Sequence, residues 1–177
     1  MSVVVSPQDR LAGSWNFSAV HSAVTFSVPY VVASFRGSFE EVAATLVDGK
    51  LSGAAAVASV DVKDENLAAH LMSAEFFDAD NHPEITFTSD DLRINGGDVE
   101  LVGELTIKGV TQPLHATGTV EGPTEDPTGT TRLGFTLKAM IDRTAYGVSW
   151  NADLPSGGRA LSDDVELTAE LEFTRAA

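Results

Sequence analysis

Cysteine is absent from this 177-residue chain, which removes disulfide frameworks, thiolate zinc sites and cysteine nucleophiles together. Basic residues are scarce: 11 lysines and arginines face 26 aspartates and glutamates, for a formal net charge of −15. Such an acidic surface repels phosphate backbones and anionic headgroups, so nucleic acid is not expected as a partner, and the charge reads first as a source of solubility. Long apolar runs are missing as well. Val3-Val4-Val5 is far too short for a membrane span, and residues 1–13 have neither the basic nor the apolar region of a secretion signal. The expectations are no stable membrane insertion and a cytoplasmic location. Gly96-Gly97 and Gly157-Gly158 match neither a phosphate-binding loop nor a dinucleotide fingerprint, and read as turns.

What the chain does have is period-two alternation, on a composition that is 43% hydrophobic. Over residues 133–143 the odd positions Leu133, Phe135, Leu137, Ala139 and Ile141 are apolar, and the positions between them are mostly small or polar. Val99, Leu101, Gly103, Leu105 and Ile107 alternate with Glu100, Glu104, Thr106 and Lys108; Val165 to Phe173 and Val24 to Val28 repeat the pattern. Strands with one dry and one wet face are antiparallel strands. Turn chemistry divides them at Asp48-Gly49, Asn95-Gly96-Gly97, Glu121-Gly122-Pro123, Asp126-Pro127 and Ser156-Gly157-Gly158. Apolar parity shifts across Glu40-Glu41, which predicts a bulge. Residues 64–72 break the alternation: an acidic start with Leu67 and Leu71 four apart predicts a short helix. Residues 1–177 thus read as one all-β domain, a single antiparallel eight-stranded barrel with a short helix near one end and residues 1–10 as a flexible tail.

A barrel of eight strands is either plugged by its own side chains or just wide enough for one ligand. Gly53 to Val62 is mostly alanine, valine and glycine, and Gly103, Ala116 and Gly118 fall on dry faces beside the large Phe26, Phe35, Phe135 and Trp150. Small groups next to large ones leave volume that a ligand would occupy, since an empty apolar void costs stability. Periodicity alone leaves open the alternative that aromatics from opposite walls fill the tube.

Several segments are specific. Trp15-Asn16-Phe17, His21-Ser22-Ala23-Val24-Thr25-Phe26-Ser27-Val28, Phe35-Arg36-Gly37-Ser38-Phe39 and His70-Leu71-Met72-Ser73-Ala74-Glu75-Phe76-Phe77-Asp78 resemble segments of the YceI-like family of polyisoprenoid-binding, lipocalin-like proteins. So do Pro83 to Ser89, Gly103 to Thr111, Ile141 to Trp150 and Leu161 to Leu167, in the family's order and over almost the whole chain. The resemblance implies an extended hollow barrel with a helix closing one end, and an elongated isoprenoid lipid in the lumen, such as a polyprenyl pyrophosphate or a prenylated quinone. It implies no cofactor beyond that lipid and no established catalysis. The chain departs from the family with Tyr30, preceded by Pro29, where a histidine is usual, and with Leu67-Ala68 where a charged pair is usual.

The residues expected to line the ligand site are Phe26, Val28, Phe35, Phe39, Leu105, Phe135, Leu137, Arg143, Tyr146 and Trp150. Two readings stay open at Arg143: a planar fork of donors for a pyrophosphate or quinone oxygen, or an ion pair with Asp142, Asp163 or Asp164. With Arg143, the residues Arg36, Lys108 and Arg159 could supply the cationic cluster that a diphosphate needs. No metal is expected, because His70 and His82, near Asp78 and Asp80, lack compact ligand spacing. His21 and Ser22, read as strand neighbours, point to opposite faces and make no catalytic pair. The function expected is a non-catalytic lipid carrier, monomeric or homodimeric; the alternatives are an enzyme acting on such a lipid through Arg143 and Tyr146, or a stress-related protein with a packed lumen.

Overall fold

A computed structural model describes residues 9–176. The expected tail therefore falls mostly outside the described residues. At its end Asp9–Leu11 form one 3-10 turn. Arg10 donates to the carbonyls of Gly96 and Gly122, and Leu11 is fully buried.

The strands are β1 (Ser14–Phe17), β2 (Ala23–Tyr30), β3 (Ala33–Phe39), β4 (Val42–Val47), β5 (Lys50–Ala56), β6 (Val60–Asp61), β7 (Glu84–Asn95), β8 (Asp98–Ile107), β9 (Val110–Glu125), β10 (Thr131–Asp142) and β11 (Asp164–Arg175), with one α-helix, α1 (Glu65–Met72). β1, β4, β5, β7, β8, β9, β10 and β11 are neighbours in that order, and β11 returns to β1. The result is a closed antiparallel barrel of eight strands. Alternation appears directly as burial: Val99, Leu101, Gly103, Leu105 and Ile107 face inward from β8, while Glu100, Val102 and Glu104 face water.

Two staves of the barrel change partner halfway along. β11 pairs with β1 through Phe173 and Thr174 but with β2 through Glu166 to Glu170, and the 3-10 turn Ala19–His21 makes the step. His21 is thus in a turn rather than on a strand, and sits 3.1 Å from Glu172. The second step is at Glu40-Glu41, where parity shifts. There the Glu40 amide donates to Ser59 O at 3.0 Å and the Ala56 amide to Glu41 O at 2.9 Å, and the stave passes from β3 to β4. One turn prediction fails: Glu121-Gly122-Pro123 lies inside β9, where the register against Arg132 and Gly134 slips. Glycine and proline here serve an irregularity within a long strand rather than a reversal. The chain reverses at Asp126, whose backbone amide donates to Thr130 O at 2.8 Å.

The interior has two regions. At the narrow end Leu11, Trp15, Leu46, Leu133, Phe135 and Phe173 form a solid plug, with Phe135 and Phe173 ring to ring at 6.1 Å. At the wide end Phe26, Phe39, Leu71, Phe76, Ile141 and Val165 surround open space. Helix α1, capped by the Asp64 carboxylate accepting from the Leu67 amide at 3.0 Å, lies across this end.

Candidate ligand-binding site

The wide end encloses a cavity of about 610 Å³, within the usual range for small-molecule sites. Strands supply Phe26, Val28, Phe35, Phe39, Leu105, Ile107, Ile141 and Val165; α1 and the loop after it supply Leu67, His70, Leu71, Phe76 and Phe77. A second cavity, of about 150 Å³, continues toward the plug. Val24, Ala55, Ile85, Leu105 and Leu167 line both, so the two abut. The small side chains of Ala44, Gly53, Ala55, Ala116, Ala139 and Ala169 line the smaller chamber and leave its volume unfilled.

Not every small residue contributes space. A Cβ on Gly37 would fall 2.5 Å from Phe26 Cζ, and one on Gly103 would fall 2.8 Å from the Phe87 ring. The space at Gly37 is taken by the Phe26 ring, and that at Gly103 by the Thr88 carbonyl and the Phe87 ring. Gly118 is crowded by the backbone of Thr136. The expectation that Gly103 and Gly118 leave volume open is thereby corrected; the alanines do so.

Of the ten residues expected to line the site, Phe26, Val28, Phe35, Phe39, Leu105, Arg143 and Trp150 line the large cavity, and Leu137 lines the small one. Phe135 and Tyr146 line neither. Phe135 belongs to the narrow-end plug. Tyr146 is 2% exposed in the packing beside the large cavity, and burial raises its hydroxyl pKa above the ordinary value. Sequence reasoning missed the contribution of α1 and of Phe76 and Phe77; the Leu67 and Leu71 pair, four apart, was the available signal.

Arg143 is 5% exposed and committed to backbone. Its Nε donates to Ser162 O at 2.8 Å, and its Nη1 to Val148 O at 2.8 Å and Trp150 O at 2.9 Å. Nη2 reaches Leu161 O at 3.4 Å, with the Asp163 carboxylate at 3.8 Å. Burial lowers its pKa, against which Asp163 and Asp142 act; a guanidinium stays charged regardless. The ion pair expected at Arg143 is present with Asp163, but most of its donors go to carbonyls, so that Arg143 staples the loop of residues 147–162 to the barrel wall while still lining the cavity.

At the mouth stand Tyr30, Asp64, Asn66 and His70. His70 Nε2 meets Glu75 Oε2 at 2.7 Å, and its ring packs edge-on against Trp150 and Phe76 at 4.9 and 4.8 Å. That stack joins α1 to the stapled loop. The cations do not converge. Lys108 donates to Ala74 O at 2.8 Å and Gly147 O at 3.3 Å, Arg36 faces outward from β3, and Arg159 is exposed. Among the described residues no group of three His, Asp or Glu side chains gathers as metal ligands, and no helix is long and apolar enough to cross a membrane.

A barrel closed by a helix over an apolar lumen is matched by a known family. The sequence profile of the YceI-like domain covers residues 15–173. The chain belongs to the YceI-like family. A relative from Pectobacterium atrosepticum, a UPF0312 protein, is 32% identical over 185 residues, spanning 99% of this chain and 93% of its own. The crystal structure of BcnA from Burkholderia cenocepacia superposes with a TM-score of 0.76 at 22% identity, over 89% of this chain and 99% of that one. A polyisoprenoid binding domain from Saccharophagus degradans gives a TM-score of 0.71 at 15% identity, over 94% and 99%. At such identities the solved structures establish that this YceI-like chain shares their fold.

Proposed function

We propose that this YceI-like barrel holds one isoprenoid lipid, its head in the wide cavity near the mouth and its tail running into the small chamber. The observation that carries this reading is the pair of abutting apolar cavities of about 610 and 150 Å³, one behind the other along the barrel axis. That shape suits a long flexible tail better than a compact ligand. The similarity to a polyisoprenoid binding domain supports it. Burial contributes about 0.8 kcal/mol per CH₂, so a few enclosed isoprene units reach roughly micromolar affinity without any polar contact.

Among isoprenoids, a neutral head such as a quinone fits this mouth better than a pyrophosphate. Arg143 and Lys108 have their donors engaged by carbonyls, and Arg36 faces away. The role is non-catalytic holding, supported by the commitment of the mouth's polar groups to structural partners: Asp64 to the helix amide, His70 to Glu75, Arg143 to the loop.

Native mass spectrometry of purified protein incubated with a prenylated quinone, followed by organic extraction, tests this reading. A one-to-one complex that releases the quinone chemically unchanged is expected. Protein that stays ligand-free at saturating quinone overturns the holding function, and release of an altered lipid overturns the non-catalytic role.

A further inference from the structure

Three exposed apolar side chains follow one another at a single place: Tyr30, Val31 and Val32, with 46%, 55% and 98% of their surface exposed. They are the tip of the hairpin joining β2 to β3. All residues from 29 to 34, Pro-Tyr-Val-Val-Ala-Ser, are exposed and uncharged, in a chain where 21% of residues are charged. The tip borders the large cavity, because Tyr30 at its base and Phe35 just beyond it both line that cavity.

The tip is also held in shape. The Val31 amide donates to Ala160 O at 2.9 Å, and the Ser162 amide to Pro29 O at 3.0 Å. Arg143 fixes the same strip through the Leu161 and Ser162 carbonyls. Val31 has φ 52°, a left-handed conformation that a β-branched residue adopts only under strain and that asparagine or glycine adopts readily. Valine there keeps an apolar side chain in water despite its backbone preference, which points to a use for that surface.

We infer that this tip docks on the surface of a zwitterionic bilayer, with Val31 and Val32 entering the boundary between headgroups and acyl chains and the cavity mouth opening beside them. The inference rests on the lipid-holding reading above: an isoprenoid that barely dissolves in water enters most directly from a membrane pressed against the mouth. Three side chains provide far less than the roughly 800 Å² per partner of a stable protein interface, but suffice for shallow, reversible insertion. The net charge of −15 directs the docking to neutral rather than anionic lipid.

The test uses the absence of native cysteine. Val32→Cys and, at the opposite end, Thr128→Cys are each labelled with a polarity-sensitive dye and mixed with phosphatidylcholine vesicles, with and without phosphatidylserine. Quinone binding is followed in parallel by quenching of tryptophan fluorescence. The expected result is a blue shift at position 32 alone, weaker when phosphatidylserine is present. In flotation, Val31→Asn/Val32→Ser should lower vesicle partitioning at least about tenfold while leaving quinone affinity unchanged. No shift at position 32 with quinone bound normally overturns the docking and leaves the holding reading intact. A shift without quinone binding supports the docking and overturns the holding reading. A concentration-dependent shift without vesicles identifies a second copy as the occupant, and equal shifts at both ends indicate unspecific adsorption; either result overturns the inference.

Discussion

At the scale of single residues, Arg143 and the glycines show how much depends on what a side chain touches. Arg143→Ala leaves the carbonyls of Ser162, Val148 and Trp150 without their donor. An unsatisfied buried polar group costs about 1–3 kcal/mol, so urea unfolding is expected to show a loss of at least ~3 kcal/mol, with Arg143→Lys recovering only part of it because one ammonium lacks the planar fork. Gly118 and Gly134 differ sharply. A Cβ on Gly118 runs into the Thr136 backbone, whereas one on Gly134 meets nothing within 4 Å. Gly118→Ala should destabilise by about 2 kcal/mol or more, and Gly134→Ala should be neutral or stabilise by up to ~1 kcal/mol through the unfolded chain, both read as shifts in the unfolding midpoint at constant slope. The sequence places Gly118 on a dry face and Gly134 between dry positions, but does not say what backbone would meet a side chain at either. For the same reason Phe135 and Phe35 look alike in sequence, though one plugs the narrow end and the other lines the cavity: alternation reports facing, not height along the axis.

At the scale of elements, the helix and the turn at Asp126 carry the expectations. α1 lies over the cavity, and its N-terminal cap is a single carboxylate. Asp64→Ala is expected to cost about 1 kcal/mol, and because Asp64, Leu67 and Leu71 border the cavity, stopped-flow dilution should show faster ligand release. Asp126 accepts hydrogen bonds from the Thr128 hydroxyl and Arg132, which hold its carboxyl well below the ordinary value of 3.8. A carboxylate whose pKa is depressed in the folded state stabilises above its unfolded pKa and loses that contribution as pH falls through the folded one. The difference in Tm between the parent protein and Asp126→Asn should therefore be constant from neutral pH down to about 4 and shrink below it. The strands were largely legible, since Val99 to Ile107 and Leu133 to Ile141 alternate as read. The turn at Glu121-Gly122-Pro123 was misread because glycine and proline mark a backbone irregularity without saying whether the chain reverses there. Only the partner strand, β10, decides that.

At the scale of the whole molecule, the lumen is covered by α1 at the end where its mouth lies and blocked at the other by Leu11, Trp15 and Phe173. A tail can lengthen only until it meets that plug. Ala55 lies where the two chambers meet, so Ala55→Phe should close the passage, and its aromatic ring should be accommodated by the void it fills. Extracted ligand, or a competition series of quinones of increasing tail length, should then show a preference for shorter tails than the parent protein accepts, while the far-ultraviolet circular dichroism stays the same.

The amino-acid order alone determined that the chain is an antiparallel β-structure with a short helix, because a strand with one dry face repeats every two residues whatever surrounds it. The alanine-rich wall and the segments shared with YceI-like proteins were likewise readable. Which glycines are covered by rings, that Arg143 grips carbonyls besides pairing with Asp163, and that an uncharged hairpin tip stands at the cavity's rim were decided by tertiary structure. Those facts depend on residues far apart in the chain meeting at one height of the barrel, and strand register and closure set that height while local periodicity does not.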